Sequence, residues 1–546
     1  MMKKNLLGIL IIAVFAAQAA FAQSKPKPIR ITPAERKAVA GVTAKQLSDY
    51  LHFVASDEME GRDTPSRGLD TTAKFIGMNL SRWGFKPAGD DGTYYQKIAL
   101  RFETADPAGN TLKVGDVSYK FNEDYFRMEG NTTVSGPLVF GGNGWFIRSK
   151  GIDAFAGVDV KDKIVVLYAK GFPRGSNATG LPEGVTQADL KGGTKGVDWA
   201  DPVTYAKQKG AKGIILVAGP QLSKAWPMIK GFLSRAKVSP EKLDTGTPAD
   251  PNFPILLLSG TAGDAIVGGA DKFESKTAFD INKTAEIEAK AKIETKWTQN
   301  VVALWEGSDP VLKKEMVAIG AHYDHDGIRE NAQGPDKIWN GADDDGSGTV
   351  AVLSIAEALS HSAVKPKRSI LFVWHCGEEK GLWGSEYFNK FPTVDIKQVV
   401  AQLNIDMIGR SKPAGDTEPK NAELSGPNMI YVIGKDMMSS TLGNVVSGVN
   451  AGYLNLDYDT RYDDPNDKNR FFFRSDHFNY AQNGIPVAFW FDGVHVDYHQ
   501  PSDTADKIDY VKMEKVTRTI MLTLFKLGDL PVRPAIDKEL PKELRR

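Results

Sequence analysis

The apolar positions of this chain change their spacing twice along its 546 residues. Over 43–58 and 71–83 they recur at helical spacing, which predicts two helices with one buried face each. Between about 131 and 276 they contract into short runs at 137–140, 163–168, 213–217 and 254–258. Gly- and Pro-rich segments separate these runs, so the stretch reads as a β-rich domain of its own. After Glu286, strand-sized runs at 301–305, 316–321, 369–375, 399–405 and 486–491 alternate with helical patterns at 349–359 and 511–527. Such alternation predicts an α/β fold, a mostly parallel mixed sheet flanked by helices. The predicted division is 23–130 for the first part of the main domain, 131–276 for the β-rich insert, 277–531 for the rest of the main domain and 532–546 for a charged tail.

The first 22 residues follow a different rule. Lys3 and Lys4 precede an apolar run over 6–17, and Ala20-Phe21-Ala22 forms a small-x-small site before Gln23. This pattern predicts a signal peptide cleaved near Ala22 and a secreted or periplasmic mature protein. The run is shorter than the roughly 20 apolar residues of a spanning helix, so no stable membrane insertion is expected. Lysines and arginines number 68, as do aspartates and glutamates, so no net field recruits nucleic acid and no nucleic-acid partner is expected. The single cysteine, Cys376, leaves neither a pair for an internal disulfide nor a set for a cysteine-based metal site. Any metal must then be held by His, Asp and Glu.

Those residue types gather at predicted strand ends, where α/β folds place their sites. His322 closes the run 316–321, and Asp324 can turn back to orient its imidazole. Asp343, Asp344 and Asp345 precede the helix 349–359; three adjacent carboxylates repel one another without a cation, although helix N-termini also favour Asp. The strand 369–375 leads into Glu378 and Glu379, a pair that can divide labour between gripping a metal and acting as general base. Asp406 ends the strand 399–405, and His499 sits in a turn before the last helix. Taken singly, each also has a plain reading as a helix cap, a charged loop or an exposed turn. In chain order the set runs His, Asp, Glu, Asp, His, which suffices for two divalent ions if one carboxylate bridges.

Six segments, GAHYDH (320–325), GADDDGSG (341–348), CGEEKGLWGS (376–385), LNIDMIG (403–409), FRSDHFNYAQNGIP (473–486) and YHQPSDT (498–504), resemble the serial motifs of the secreted co-catalytic zinc aminopeptidase family. The segments 59–62 and 83–87 resemble the N-terminal helical part of these enzymes, and 160–166 with 206–217 resemble the protease-associated domain often inserted in them. The resemblance implies a zinc-exopeptidase fold with a protease-associated insert over 131–276, and two zinc ions as cofactors. It implies that Asp344 bridges the ions, that His322 and Asp406 complete one site, and that Glu379 and His499 complete the other. Glu378 would be the general base acting on a metal-activated water. Tyr498 is similar to a tyrosine that hydrogen-bonds the oxyanion in some members, and Arg474 to a substrate-contacting arginine. Asp324 would orient His322 from behind, while His325, His375 and His477 are expected in supporting or structural places. The acidic triplet departs from the common pattern, because Asp345 stands where many members have Asn; Asp345 is therefore the alternative bridge. A cis peptide is expected between residues 344 and 345.

The implied activity is removal of N-terminal residues from peptide substrates. Alternatives on the same fold are a glutamate-type carboxypeptidase, in which Arg410 and Arg474 would meet the substrate carboxylate, and a single-zinc glutaminyl cyclase. A noncatalytic receptor-like relative is the third. The insert speaks against a cyclase, and the complete ligand set speaks against a receptor. The acidic stretch 457–467 invites a calcium reading, but its spacing fits no EF-hand and a solvated loop is the better expectation. The insert carries none of the candidate ligands, so it is expected to select or admit substrates without taking part in chemistry.

Overall fold

The computed structural model describes residues 26–171, 179–243, 250–275 and 277–545. The signal peptide expected over 1–22 lies outside the described residues. Among them, no helix is long and apolar enough to cross a membrane.

The main sheet is built on β1 (Tyr95–Ala105), β2 (Ala291–Trp305), β3 (Met316–His322), β4 (Ser369–His375), β5 (Val399–Ile405), β6 (Met429–Ile433) and β7 (Val487–Phe491). Across the sheet they lie in the order β1-β2-β4-β3-β5-β7-β6, with Lys237–Pro240 beside β1 and Asp457–Asp459 beside β6. The four central strands β4, β3, β5 and β7 run parallel. By contrast β1, β2 and β6 join antiparallel, so the sheet is mixed as expected. Helices α1 (Ala44–Val54), α2 (Arg67–Arg82), α3 (Gly348–Ser360) and α4 (Tyr510–Gly528) contribute to the core on one face. An aromatic-rich core containing Phe388, Phe471, Phe478, Tyr480 and Phe489 lies on the other. With both faces covered, β3 sends Val317, Ile319 and Ala321 into the first core and Met316 and Ala318 into the second. That double burial is why these strands read as continuous apolar runs.

A second sheet of eight strands is formed by the chain between β1 and β2. Its middle is the parallel set Thr132–Phe140, Ile164–Ala169, Gly213–Ala218 and Ile255–Leu258, which contains the four predicted runs. The domain is wider than 131–276, because Thr111–Val114, Val117–Tyr119 and Tyr125–Glu129 precede those bounds and Phe279–Ala289 follows them. The last of these buries Ala285, Ile287 and Ala289 but exposes Asp280, Asn282, Lys283, Thr284 and Glu286, too polar a stretch to stand out as an apolar run. Ala105 and Ala291 are cross-strand partners, so the chain leaves and re-enters the main sheet at one point.

Two further boundaries moved for local reasons. The helix predicted over 43–58 ends at Val54, and the chain then passes through positive φ at Glu60, Gly61 and Arg62. A Cβ at Gly61 would overlap the Trp339 carbonyl, so only glycine fits that turn. The strand at 301–305 is the end of the longer β2, whose residues before Val301 pair with β1; of these Lys292–Trp297 are exposed and the buried ones, Thr298 and Asn300, are polar, so no apolar run marks them.

Candidate active site

The four parallel strands finish on one rim. His322 is the last residue of β3, Glu378 and Glu379 follow β4, Asp406 follows β5, and Tyr498 and His499 lie beyond β7. The turn before α3 brings Asp343, Asp344 and Asp345 to the same rim, and the Asp344–Asp345 peptide is cis, as expected. Asp344 divides its carboxylate: Oδ1 lies 3.3 Å from His322 Nε2 and Oδ2 lies 3.0 Å from His499 Nε2. Asp406 Oδ1 stands 3.6 Å from His322 Nε2, and Glu379 Oε2 stands 3.1 Å from His499 Nε2. The five expected ligands are therefore together. Among the described residues, two sets of donor atoms are close enough to share an ion, His322 with Asp344 and Asp406, and His325 with Asp344 and Glu379.

The residues fit a metal on chemical grounds. His499 Nε2, Glu379 Oε1 and both ring nitrogens of His325 are buried without a hydrogen-bond partner. Buried polar atoms rarely stay unpaired, and a cation would satisfy His499 Nε2, Glu379 Oε1 and the Nδ1 of His325 that faces the two carboxylates. An all-nitrogen-and-oxygen donor set of imidazoles and carboxylates suits zinc or a similar divalent ion. In the bare protein, burial works to raise Asp344, yet the imidazoles of His322 and His499 hold its carboxyl well below the usual range. Burial pushes Glu378 well above its usual range, and repulsion from Glu379 and Asp406 adds to that push.

Asp324 lies behind His322, but it holds the imidazole through its backbone rather than its carboxylate. Its backbone carbonyl accepts from His322 Nδ1 at 3.2 Å, while its carboxylate Oδ1, 3.7 Å from the same nitrogen, accepts from the Glu378 amide at 3.1 Å, so one residue steadies a ligand and the candidate base. Asp345 is corrected: it does not bridge. Its Oδ1 accepts from the amides of Gly348 and Met407, and its Oδ2 accepts from the amide of His322, so both oxygens are engaged by backbone. Tyr498 stacks on His499 with centroids 4.0 Å apart, and its hydroxyl accepts from Arg474 Nη2 at 3.0 Å. Arg410 donates to Asp497 at 2.8 Å and lies near Asp503, which commits it to internal ion pairs. His375 sits between Tyr480 and Asp476, and His477 stacks on Phe489. His325, in contrast, belongs to the ligand cluster itself.

Sequence reasoning missed two residues that shape the site. Asp503 Oδ2 accepts from the amides of Asp343 and Asp344, fixing the loop that carries the shared carboxylate. It lies in the quoted YHQPSDT segment, which was its only signal. Arg62 is fully buried and donates to the carbonyls of Tyr323, Val54, Asn340 and Gly341. In the loop 457–467, Asp459, Asp463, Asp464 and Asp467 accept from backbone amides nearby, and among the described residues no group that could hold a metal lies there.

Paired imidazole–carboxylate groups on the rim of a parallel sheet, with a second glutamate beside them, define a metal-dependent hydrolase. The family model of peptidase family M28 matches residues 300–524. A probable leucine aminopeptidase of Arthroderma otae is 30% identical over 301 residues, covering 54% of this chain and 74% of that protein. Leupeptin-inactivating enzyme 1 of Streptomyces exfoliatus is 30% identical over 211 residues, and the chain spans only 38% of its length. Among solved structures, the aminopeptidase from Aneurinibacillus sp. strain AM-1 matches with a TM-score of 0.50 at 20% identity, covering 92% of this chain and 98% of that one, which shows the shared fold. The chain belongs to peptidase family M28, and with it to the metallopeptidase hydrolases.

Proposed function

We propose that this chain is a two-zinc aminopeptidase, secreted or periplasmic, that removes N-terminal residues from peptides. The observation that carries this reading is the division of Asp344, whose two oxygens serve two half-sites. His322 and Asp406 would hold one ion with Asp344, and Glu379 and His499 the other. When bound, such a pair of ions polarises the scissile carbonyl and makes a water acidic enough to attack at neutral pH.

The chain's own residues supply the rest. Glu378 lines the cavity beside Asp344 and Asp406, where it takes the proton of the attacking water and returns it to the leaving amine. Arg474 donates to the Tyr498 oxygen, which leaves the phenol hydrogen free for the oxyanion as it forms. Met407, Phe471, Phe489, Phe491 and Val494 line the same cavity and offer an apolar wall to the substrate's first side chain. The leucine aminopeptidase names of relatives agree with that wall. Of the two arginines a carboxypeptidase reading would use, Arg410 is withdrawn into ion pairs and only Arg474 lines the cavity, which favours the aminopeptidase. None of the described residues of the β-rich domain, read as protease-associated, lines the cavity, and the domain would act on substrate access.

The test is zinc content per chain, followed by hydrolysis of leucine anilide beside an N-blocked peptide with a free C-terminus. The expected result is two zincs, cleavage of the anilide alone, loss of activity with a chelator and its return with zinc or cobalt. Cleavage of only the blocked peptide, or full activity in metal-free protein, overturns the reading. Expression in an exporting bacterial host with N-terminal sequencing of the mature chain tests the cleavage near Ala22.

A further inference from the structure

His325 lies three residues beyond His322 and is fully buried. Its Nδ1 is 2.8 Å from Glu379 Oε1 and 3.9 Å from Asp344 Oδ2. At 2.8 Å an imidazole and a carboxylate normally share a hydrogen bond, yet neither Nδ1 nor Glu379 Oε1 has a hydrogen-bond partner. The ring nitrogen is close to the oxygen without being aimed at it. Two donors that point at a common third position, rather than at each other, have this relation. The ring of His499 stands edge-on to that of His325, centroids 5.6 Å apart, and reaches the same two carboxylates through Nε2.

The chain also makes room for this ring. Gly341 has φ +55, and a Cβ there would overlap Cγ and Cδ2 of His325. The His325 amide donates to the carbonyl of Arg62, which fixes the backbone beneath the ring. A buried imidazole with two unpaired nitrogens is not by itself informative, since His477 has the same property. But His477 packs between Phe472 and Phe489, whereas His325 faces two carboxylates.

We propose that His325 is a further protein ligand of the second half-site, beside Asp344, Glu379 and His499. That half-site would then take a divalent cation of borderline softness, zinc or cobalt, with four protein donors, against three from His322, Asp344 and Asp406. The two positions become unequal: the four-donor site fills first and holds its ion tighter, and the three-donor site keeps more room for substrate. This inference rests on the two-metal reading above, and its test separates the two.

The experiment uses the full chain, stripped and reloaded with zinc or cobalt. X-ray absorption on the fully zinc-loaded wild-type protein should count three imidazoles per pair of ions; two would overturn the proposal without any variant being made. His325→Ala and His325→Asn are then titrated against a competing chelator. Both should weaken the tighter site by more than the roughly 10- to 100-fold that losing an outer-shell partner costs, and change the visible spectrum of the cobalt form. Asn places an amide N–H near where Nδ1 was, so it can offer Glu379 a hydrogen bond but not imidazole ligation. Wild-type affinity and an unaltered cobalt spectrum in His325→Asn reduce His325 to a positioning residue and overturn the proposal. If the wild-type protein itself takes up only one ion, the two-metal reading fails instead.

Discussion

Replacing Arg62 tests how the site is held in place. Arg62 Nε donates to Tyr323 O at 2.9 Å, Nη1 to Val54 O at 2.8 Å and Asn340 O at 2.7 Å, and Nη2 to Gly341 O at 2.8 Å. These carbonyls belong to the end of α1, to the residue after His322 and to the turn that precedes Asp344, so one side chain ties three segments together. Burial pushes the guanidinium down to about 10, with Asp324, Asp345, Asp344 and Asp503 opposing the shift, so it stays charged at neutral pH. In Arg62→Met four carbonyls lose a charged donor. At about 1 kcal/mol or more for each acceptor left buried, the loss is at least about 4 kcal/mol, reduced somewhat because a buried charge is removed as well. For a main domain of this size, at about 2.1 cal/mol/K of unfolding entropy per residue, that corresponds to a fall of about 6 °C in Tm. Thermal unfolding of metal-free protein followed by near-UV circular dichroism reads this directly. Arg62→Lys keeps the charge but not the forked geometry, and should recover less than half of the loss. A methionine variant melting within about 2 °C of wild type, or full rescue by lysine, would refute the clamp.

Glu378→Gln should retain both metals and lose turnover by several orders of magnitude, measured as kcat on leucine anilide together with zinc content; near wild-type turnover removes the base assignment. Asp344→Ala should lose metal from both half-sites in a chelator titration, because each of its oxygens faces a different histidine; retention of one tight ion would show that the carboxylate is not shared. Replacing 106–290 by a short turn between the paired Ala105 and Ala291 should preserve zinc binding and anilide hydrolysis while changing peptide length preference. A folded deletion variant with two zincs and no anilide activity would show that the second sheet completes the site. Burial raises Asp463 to about 6 while its carboxylate accepts from the Gly434 amide. A carboxyl raised above its unfolded value binds its proton more tightly when folded, so its ionisation destabilises the fold as pH rises through 4 to 6. Asp463→Asn should therefore stabilise the protein at pH 7.5 by up to about 3 kcal/mol and have no effect near pH 4, checked by urea unfolding at both values.

The sequence by itself determined the strands that are buried on both faces and the ligands at their ends. β4 and β5 were read with their bounds correct, because a strand covered on both sides must be apolar throughout, and an apolar run is visible without knowing its neighbours. His322, Asp406 and the Glu378–Glu379 pair were legible because they follow such runs directly, and a strand's end delivers its next residues to the rim. The first part of β2, β1 and the edges of the second sheet were not legible as apolar runs, since they bury only every second residue or bury polar ones, as Gln96, Ile98 and Leu100 in β1 and Ala285, Ile287 and Ala289 in the second sheet show. Tertiary structure alone decided which aspartate of the triplet faces the site, because Asp344 and Asp345 differ only in where the backbone turns them. The same holds for Arg62 and His325. Burial of a cation is set by four carbonyls far apart in the chain, and the place of an imidazole is set by a glycine 16 residues downstream that leaves its ring the room.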